Sequence, residues 1–177
     1  MAHKKKEIFW VFVCVFCFLS SAAAHQSRVQ ISGGPGREDN VSTRISYGQN
    51  LKMHFASSLV GHFSPEVETG GGLWLTSDDT NFHADITPML VYVFHTDWES
   101  VPFVEGGVGG AYIAHENFAG ERLGSHFQFR DVLGMGLKFG ATKRYSMRLR
   151  YVHYSNADLA DENDGMDVFV LCCGFSF

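Results

Sequence analysis

Residues 41–55 read VSTRISYGQNLKMHF. Val41, Thr43, Ile45, Tyr47, Gln49, Leu51, Met53 and Phe55 fall on one parity; Ser42, Arg44, Ser46, Gly48, Asn50, Lys52 and His54 fall on the other. Strict alternation marks a β-strand, because successive side chains leave a strand on opposite faces. The run exceeds the usual soluble strand of about 5–6 residues. Its apolar face is tall, and its other face carries Arg, Lys and small polar groups. A transmembrane barrel needs this pattern, with apolar side chains toward lipid and polar ones filling the lumen.

The same parity rule recurs downstream. Phe82, Ala84, Ile86, Pro88, Leu90, Tyr92 and Phe94 oppose His83, Asp85 and Thr87. Phe127, Phe129, Leu133, Met135, Leu137 and Phe139 oppose His126, Gln128, Arg130, Val132, Gly134, Gly136 and Lys138. Tyr145, Met147, Leu149 and Tyr151 oppose Ser146, Arg148 and Arg150. The expected fold is all-β, an eight-stranded antiparallel transmembrane β-barrel of the outer membrane. Its strands are expected near 28–34, 41–55, 66–76, 82–95, 101–114, 124–140, 144–155 and 165–177. Three positions strain this pattern. Pro88 lies inside a strand with no free edge to shelter it, so a bulge is expected there. Asp131 falls on the apolar face. The glycine-rich third strand has a weakly specified register. Inside the lumen, Arg148 and Arg150 are expected to pair with Glu105.

The N-terminus agrees with export. Lys4, Lys5 and Lys6 precede an unbroken apolar run over residues 8–19, followed by Ser20, Ser21, Ala22, Ala23 and Ala24. This order describes a secretory signal peptide over residues 1–24, and the run is short for a spanning helix, which needs about 20 apolar residues. The barrel domain is then residues 25–177. Setting aside residues 4–7 takes the formal net charge from −5 to −7, which argues against a nucleic-acid partner. Of the four cysteines, Cys14 and Cys17 leave with the signal. Cys172 and Cys173 are adjacent in a strand, point to opposite faces, and read as packing residues. Phe169, Leu171, Cys173, Phe175 and the terminal Phe177 alternate, like the last strand of bacterial outer-membrane barrels.

Parity also brings chemistry to the outer wall. Extending the apolar face of 145–151 adds His153 and Ser155, and the apolar face of the last strand begins at Asp167. A histidine, a serine and an acid would then share the outer surface of two neighbouring strands. With both termini of an even-stranded barrel in the periplasm, they stand at the extracellular rim. Serine becomes a nucleophile when an adjacent base takes its proton. An acid behind that base fixes its tautomer and stabilises the imidazolium. The chemistry such a set predicts is acyl transfer or ester hydrolysis, with no metal or cofactor. The H-x-S spacing alone is a weak signal, and an ordinary polar rim satisfies it equally.

The stretch RYVHYSNADLADENDGMD (150–167), supported by FVEGGVGGAYI (103–113) and LGSHFQFRDVLGMG (123–136), resembles the lipid A 3-O-deacylase family, PagL. The resemblance implies an eight-stranded outer-membrane barrel that hydrolyses the 3-O-linked acyl chain of lipid A, releasing a 3-hydroxy fatty acid through an acyl-enzyme. It implies His153 as base, Ser155 as nucleophile and Asp167 as acid, although the family motif carries a Glu at that place. Glu162, Asp161 and Asp164 are nearby acids with poorer parity. Asn156, with backbone N–H groups near Ala157, is expected to support the oxyanion, and Asn163 to support the loop. Asn163–Asp164–Gly165 equally suits plain turn chemistry. The implied partner is lipopolysaccharide in the outer leaflet, with a homodimer as an open option. Two alternatives stand beside this reading: a non-enzymatic small barrel serving as adhesin or structural protein, and a phospholipase or acyltransferase barrel with the same serine chemistry.

Overall fold

Alternation in sequence becomes alternation of environment in the fold. The computed structural model describes residues 27–177; the expected signal peptide, with Cys14 and Cys17, lies outside the described residues. Eight strands close a barrel: β1 (Ser27–Pro35), β2 (Val41–Asn50), β3 (Gly61–Leu75), β4 (Thr80–Phe94), β5 (Val101–Ile113), β8 (Phe127–Phe139), β9 (Tyr145–Ser155) and β10 (Met166–Ser176). Every neighbouring pair is antiparallel, and β1 pairs β10 to close the ring. A two-stranded hairpin, β6 (Asn117–Phe118) with β7 (Glu121–Arg122), projects between β5 and β8. Both described termini lie at one end, where Ser27 and Phe177 exchange backbone hydrogen bonds. The opposite end is called here the distal rim.

The polarity is inverted relative to a soluble sandwich. Leu133 is 68% and Ile31 62% exposed, whereas Arg148 and Arg150 are each 1% exposed and Glu68 is fully buried. A belt of outward Ile, Leu, Phe, Met and Tyr around a charged interior is stable only where lipid covers the belt. Burying such charges is tolerable only when each is paired. Arg150 contacts Glu68 at 2.8 Å and Glu105 at 2.6 Å. Arg148 reaches Glu105 at 3.3 Å. The expected pairing of both arginines with Glu105 therefore forms, but Glu68 is the larger hub. It also receives Arg28 and Arg44, both at 2.9 Å.

Two expectations about strands change. The period-two pattern of 41–55 outlasts its strand: β2 ends at Asn50, and Lys52 and Ala56 take positive φ values of 53° and 49° that an extended ladder cannot hold. Beyond Asn50 the Leu51 N–H still donates to Pro65 O at 3.0 Å, and an isolated bridge, Phe55 to Phe63, follows. Pro88 makes no bulge. Pairing between β4 and β5 opens after Ile86↔Gly110 and resumes at Met89↔Gly107 in the same register. The missing N–H is absorbed as a local gap in the ladder. The glycine-rich β3 holds one continuous register along β4, from Gly61↔Phe94 to Leu75↔Thr80. Cys172 is buried, Cys173 outward, and both are free.

Candidate active site

At the distal rim β9 and β10 meet in a register that sets the chemistry. His153 stands directly opposite Asp167, and Tyr151 opposite Phe169. Tyr151, His153 and Ser155 share the outward face of β9, while Val152 and Tyr154 between them are buried in the lumen. Cross-strand partners bring Cβ atoms to about 4.5–5.5 Å, so a one-methylene carboxylate reaches the neighbouring imidazole. Asp167 Oδ1 accepts a hydrogen bond from His153 Nδ1 at 2.7 Å. The same oxygen accepts the Tyr151 hydroxyl at 2.6 Å. An ionised carboxylate only accepts, so Nδ1 carries a proton, and in the neutral imidazole Nε2 keeps its lone pair. His153 and Asp167 side chains are about one-third exposed, at 34% and 32%. They therefore face the lipid side without being sealed from it.

Ser155, at the end of β9, pairs with Phe129 of β8. Its Cα lies about 6–7 Å from that of His153 along the strand. Among the described residues its hydroxyl makes no hydrogen bond; a serine–imidazole link would need a side-chain rotation. Such links are often loose before substrate arrives.

The loop after Ser155 is built from both sides. Ala157 and Asp158 hold left-handed φ values of 53° and 60°, turning the chain sharply away from the wall. Asn156 is fully buried; its Nδ2 donates to Leu123 O at 2.9 Å and to Glu162 O at 2.6 Å. Its backbone N–H donates to Asn163 Oδ1 at 2.8 Å, and Asn163 Nδ2 donates to Asp158 Oδ1 at 2.9 Å. Asn156 and Asn163 thus brace the loop. The Asn156 amide points inward, because both of its N–H groups serve neighbouring carbonyls; the N–H groups of Ala157 and Asp158, next along the loop, make no hydrogen bond among the described residues.

Sequence reasoning missed the clamp that holds this loop. Arg122 of β7 reaches Glu162 at 2.8 Å, its backbone N–H donates to Asp164 Oδ2 at 2.9 Å, and the Asp164 N–H returns to Arg122 O at 3.0 Å. The backbone N–H and guanidinium of Arg122 hold the Asp164 carboxyl below the ordinary aspartate range. Glu162 and Asp164 therefore serve the clamp, whereas Asp161 lines a cavity with Glu116, Asn117 and Leu159. Gly124 permits the close approach: a Cβ there would stand 2.0 Å from Glu162 O. Gly165 turns the chain into β10 at a φ of 75°, and a Cβ on it would crowd His153 Cε1 at 3.1 Å. Asp131 also belongs to this outward surface. It is the β8 register partner of His153, so carboxylates flank the imidazole on both sides. Parity of adjacent strands was the signal that would have found it. Among the described residues no cluster of three or more His, Cys, Asp or Glu is arranged to hold a metal ion.

The sequence profile of the lipid A 3-O-deacylase family (PagL) matches residues 40–176. The chain belongs to this family. It is 29% identical over 164 residues to the lipid A deacylase PagL of Pseudomonas aeruginosa, covering 90% of this chain and 93% of that protein. Identity to the lipid A deacylase PagL of Bordetella bronchiseptica is 27% over 180 residues, with 98% and 97% covered. The fold matches a crystal structure of the outer membrane enzyme PagL with a TM-score of 0.78 at 26% identity, covering 84% of this chain and 98% of that one.

Proposed function

We propose that this chain is an outer-membrane serine esterase that removes the 3-O-linked acyl chain of lipid A. Family membership and two relatives named as lipid A deacylases supply the substrate class. The observation that carries the chemistry is the His153–Asp167 hydrogen bond on the lipid-facing wall, one outward position from Ser155.

In this reading both termini lie on the periplasmic side. The distal rim then stands in the outer leaflet, where lipopolysaccharide resides. The ester reaches the wall sideways. His153 Nε2 takes the Ser155 proton as the Ser155 oxygen attacks the carbonyl carbon. Asp167 stabilises the imidazolium so formed. The Ala157 N–H is suited to receive the developing oxyanion. Collapse breaks the ester bond, and His153 returns its proton to the departing lipid A hydroxyl. Water then attacks the acyl-serine with His153 again as base, releasing a 3-hydroxy fatty acid and restoring Ser155. The scheme uses no cofactor, and every residue it names lies in one chain.

Mass spectrometry of lipid A tests this reading after expression in a strain of known acylation pattern. One 3-linked acyl chain should disappear with the parent and persist with Ser155→Ala. Unchanged lipid A with the folded parent would refute it in favour of a non-enzymatic barrel. Loss of phospholipid acyl chains, or acyl gain, would point to the phospholipase or acyltransferase alternative.

A further inference from the structure

We infer that Tyr151 is a positioning residue: its hydroxyl fixes the Asp167 carboxylate so that one oxygen faces His153. This inference rests on the esterase reading above. Outward tyrosines are common on barrel walls, where the ring lies in lipid and the hydroxyl seeks water. Tyr112 and Tyr145 fit that description, and their hydroxyls make no hydrogen bond among the described residues. Tyr151 differs, because its hydroxyl donates to Asp167 Oδ1 at 2.6 Å.

The ring itself is held in place. Phe169, its cross-strand partner on β10, packs against it with ring centroids 5.2 Å apart. On the other side Leu133 of β8 is in register with it. With the ring pinned between two strands, the hydroxyl has little freedom and presents a fixed donor to Asp167.

A fixed donor matters because His153 has two carboxylates to choose from. Asp131 stands in register on β8 and Asp167 on β10. The imidazole has one Nδ1–H to give, and it gives it to Asp167. Tyr151 breaks the symmetry. It satisfies Asp167 with a second donor on the oxygen that receives Nδ1, and the Arg37 N–H anchors the Asp167 carbonyl at 2.9 Å. Asp131 makes no side-chain hydrogen bond among the described residues. The carboxylate held by Tyr151 is therefore the one that sets the imidazole.

A double-mutant cycle on the refolded, detergent-solubilised barrel tests this, with purified lipid A as substrate and heat-modifiable electrophoretic migration reporting the folded fraction. Tyr151→Phe keeps the ring and removes the hydroxyl. It should lower kcat about tenfold, as expected for one charge-assisted hydrogen bond, and change KM less than about twofold. In an Asp167→Ala background, where nothing remains to be positioned, the same change should alter residual kcat less than about twofold. An equal loss in both backgrounds would make Tyr151 part of the wall only. An unchanged kcat in the parent background would also overturn the inference. Ser155→Ala separates the two readings: activity lost there but kept in Tyr151→Phe rejects the positioning role alone. Activity unaffected by Ser155→Ala rejects the esterase mechanism, and the positioning role with it.

Discussion

Two histidine–aspartate pairs face opposite sides of one barrel wall. Inside, His83 Nδ1 stands 3.9 Å from Asp85, and neither ring nitrogen has a hydrogen-bond partner among the described residues. Outside, His153 donates to Asp167 at 2.7 Å. Residue type does not separate them; competition does. Arg44 grips Asp85 with two hydrogen bonds of 2.9 and 2.6 Å, and Arg130 stands 3.7 Å away. The lumenal carboxylate is spent on guanidinium groups, and His83 is left stacked on Trp74 with centroids 5.1 Å apart. On the outer wall Tyr151 is, among the described residues, the one other side chain hydrogen-bonded to Asp167, so the carboxylate remains free to steer an imidazole.

The comparison breaks first at Asp167. Its replacement by Ala should cost roughly a hundred- to ten-thousandfold in kcat, as removal of a triad acid does. Asp131→Ala should cost clearly less. If lipid A turnover ranks these two variants the other way, the acid lies on β8. Glu68→Gln probes the inner side. It weakens the hub between Arg28, Arg44 and Arg150 and should lower unfolding free energy by about 3–5 kcal/mol. Turnover per folded molecule should hold, as denaturant titration paired with a folded-fraction assay will show. The smallest effect is expected at His83. His83→Phe keeps the stack on Trp74 and removes two unpartnered nitrogens, so stability should shift by no more than about 1 kcal/mol. A large fall in turnover with His83→Phe would mean that the lumenal pair communicates with the outer one.

Much of this contrast is legible from parity. Period-two alternation assigns Arg44, Arg148 and Arg150 inward and His153, Ser155 and Asp167 outward, since a strand leaves a side chain only two directions. The Arg148–Glu105–Arg150 contacts follow from the same rule. What parity leaves out is register and backbone sign. Whether Asp131 or Asp167 meets His153 depends on cross-strand pairing, and both turn out to be in register. The end of β2 at Asn50 is invisible in an alternation that runs to Phe55, because it is set by the left-handed Lys52 and Ala56. Asn156 reads as a donor near the ester by adjacency to Ser155, yet its side chain serves Leu123 and Glu162. The partner of a long-range brace such as Arg122 is fixed by loop closure, which no local pattern encodes.

The interlocked charges of the lumen have an electrical consequence. Arg28, Arg44, Arg148 and Arg150 interleave with Glu66, Glu68, Asp85 and Glu105 across the bore, each nearly or wholly buried. Such interlocked side chains crowd the bore, so the barrel should be silent as a conductor. On the proposed function, a protein that trims the lipid of a permeability barrier can then sit within that barrier without becoming a leak in it.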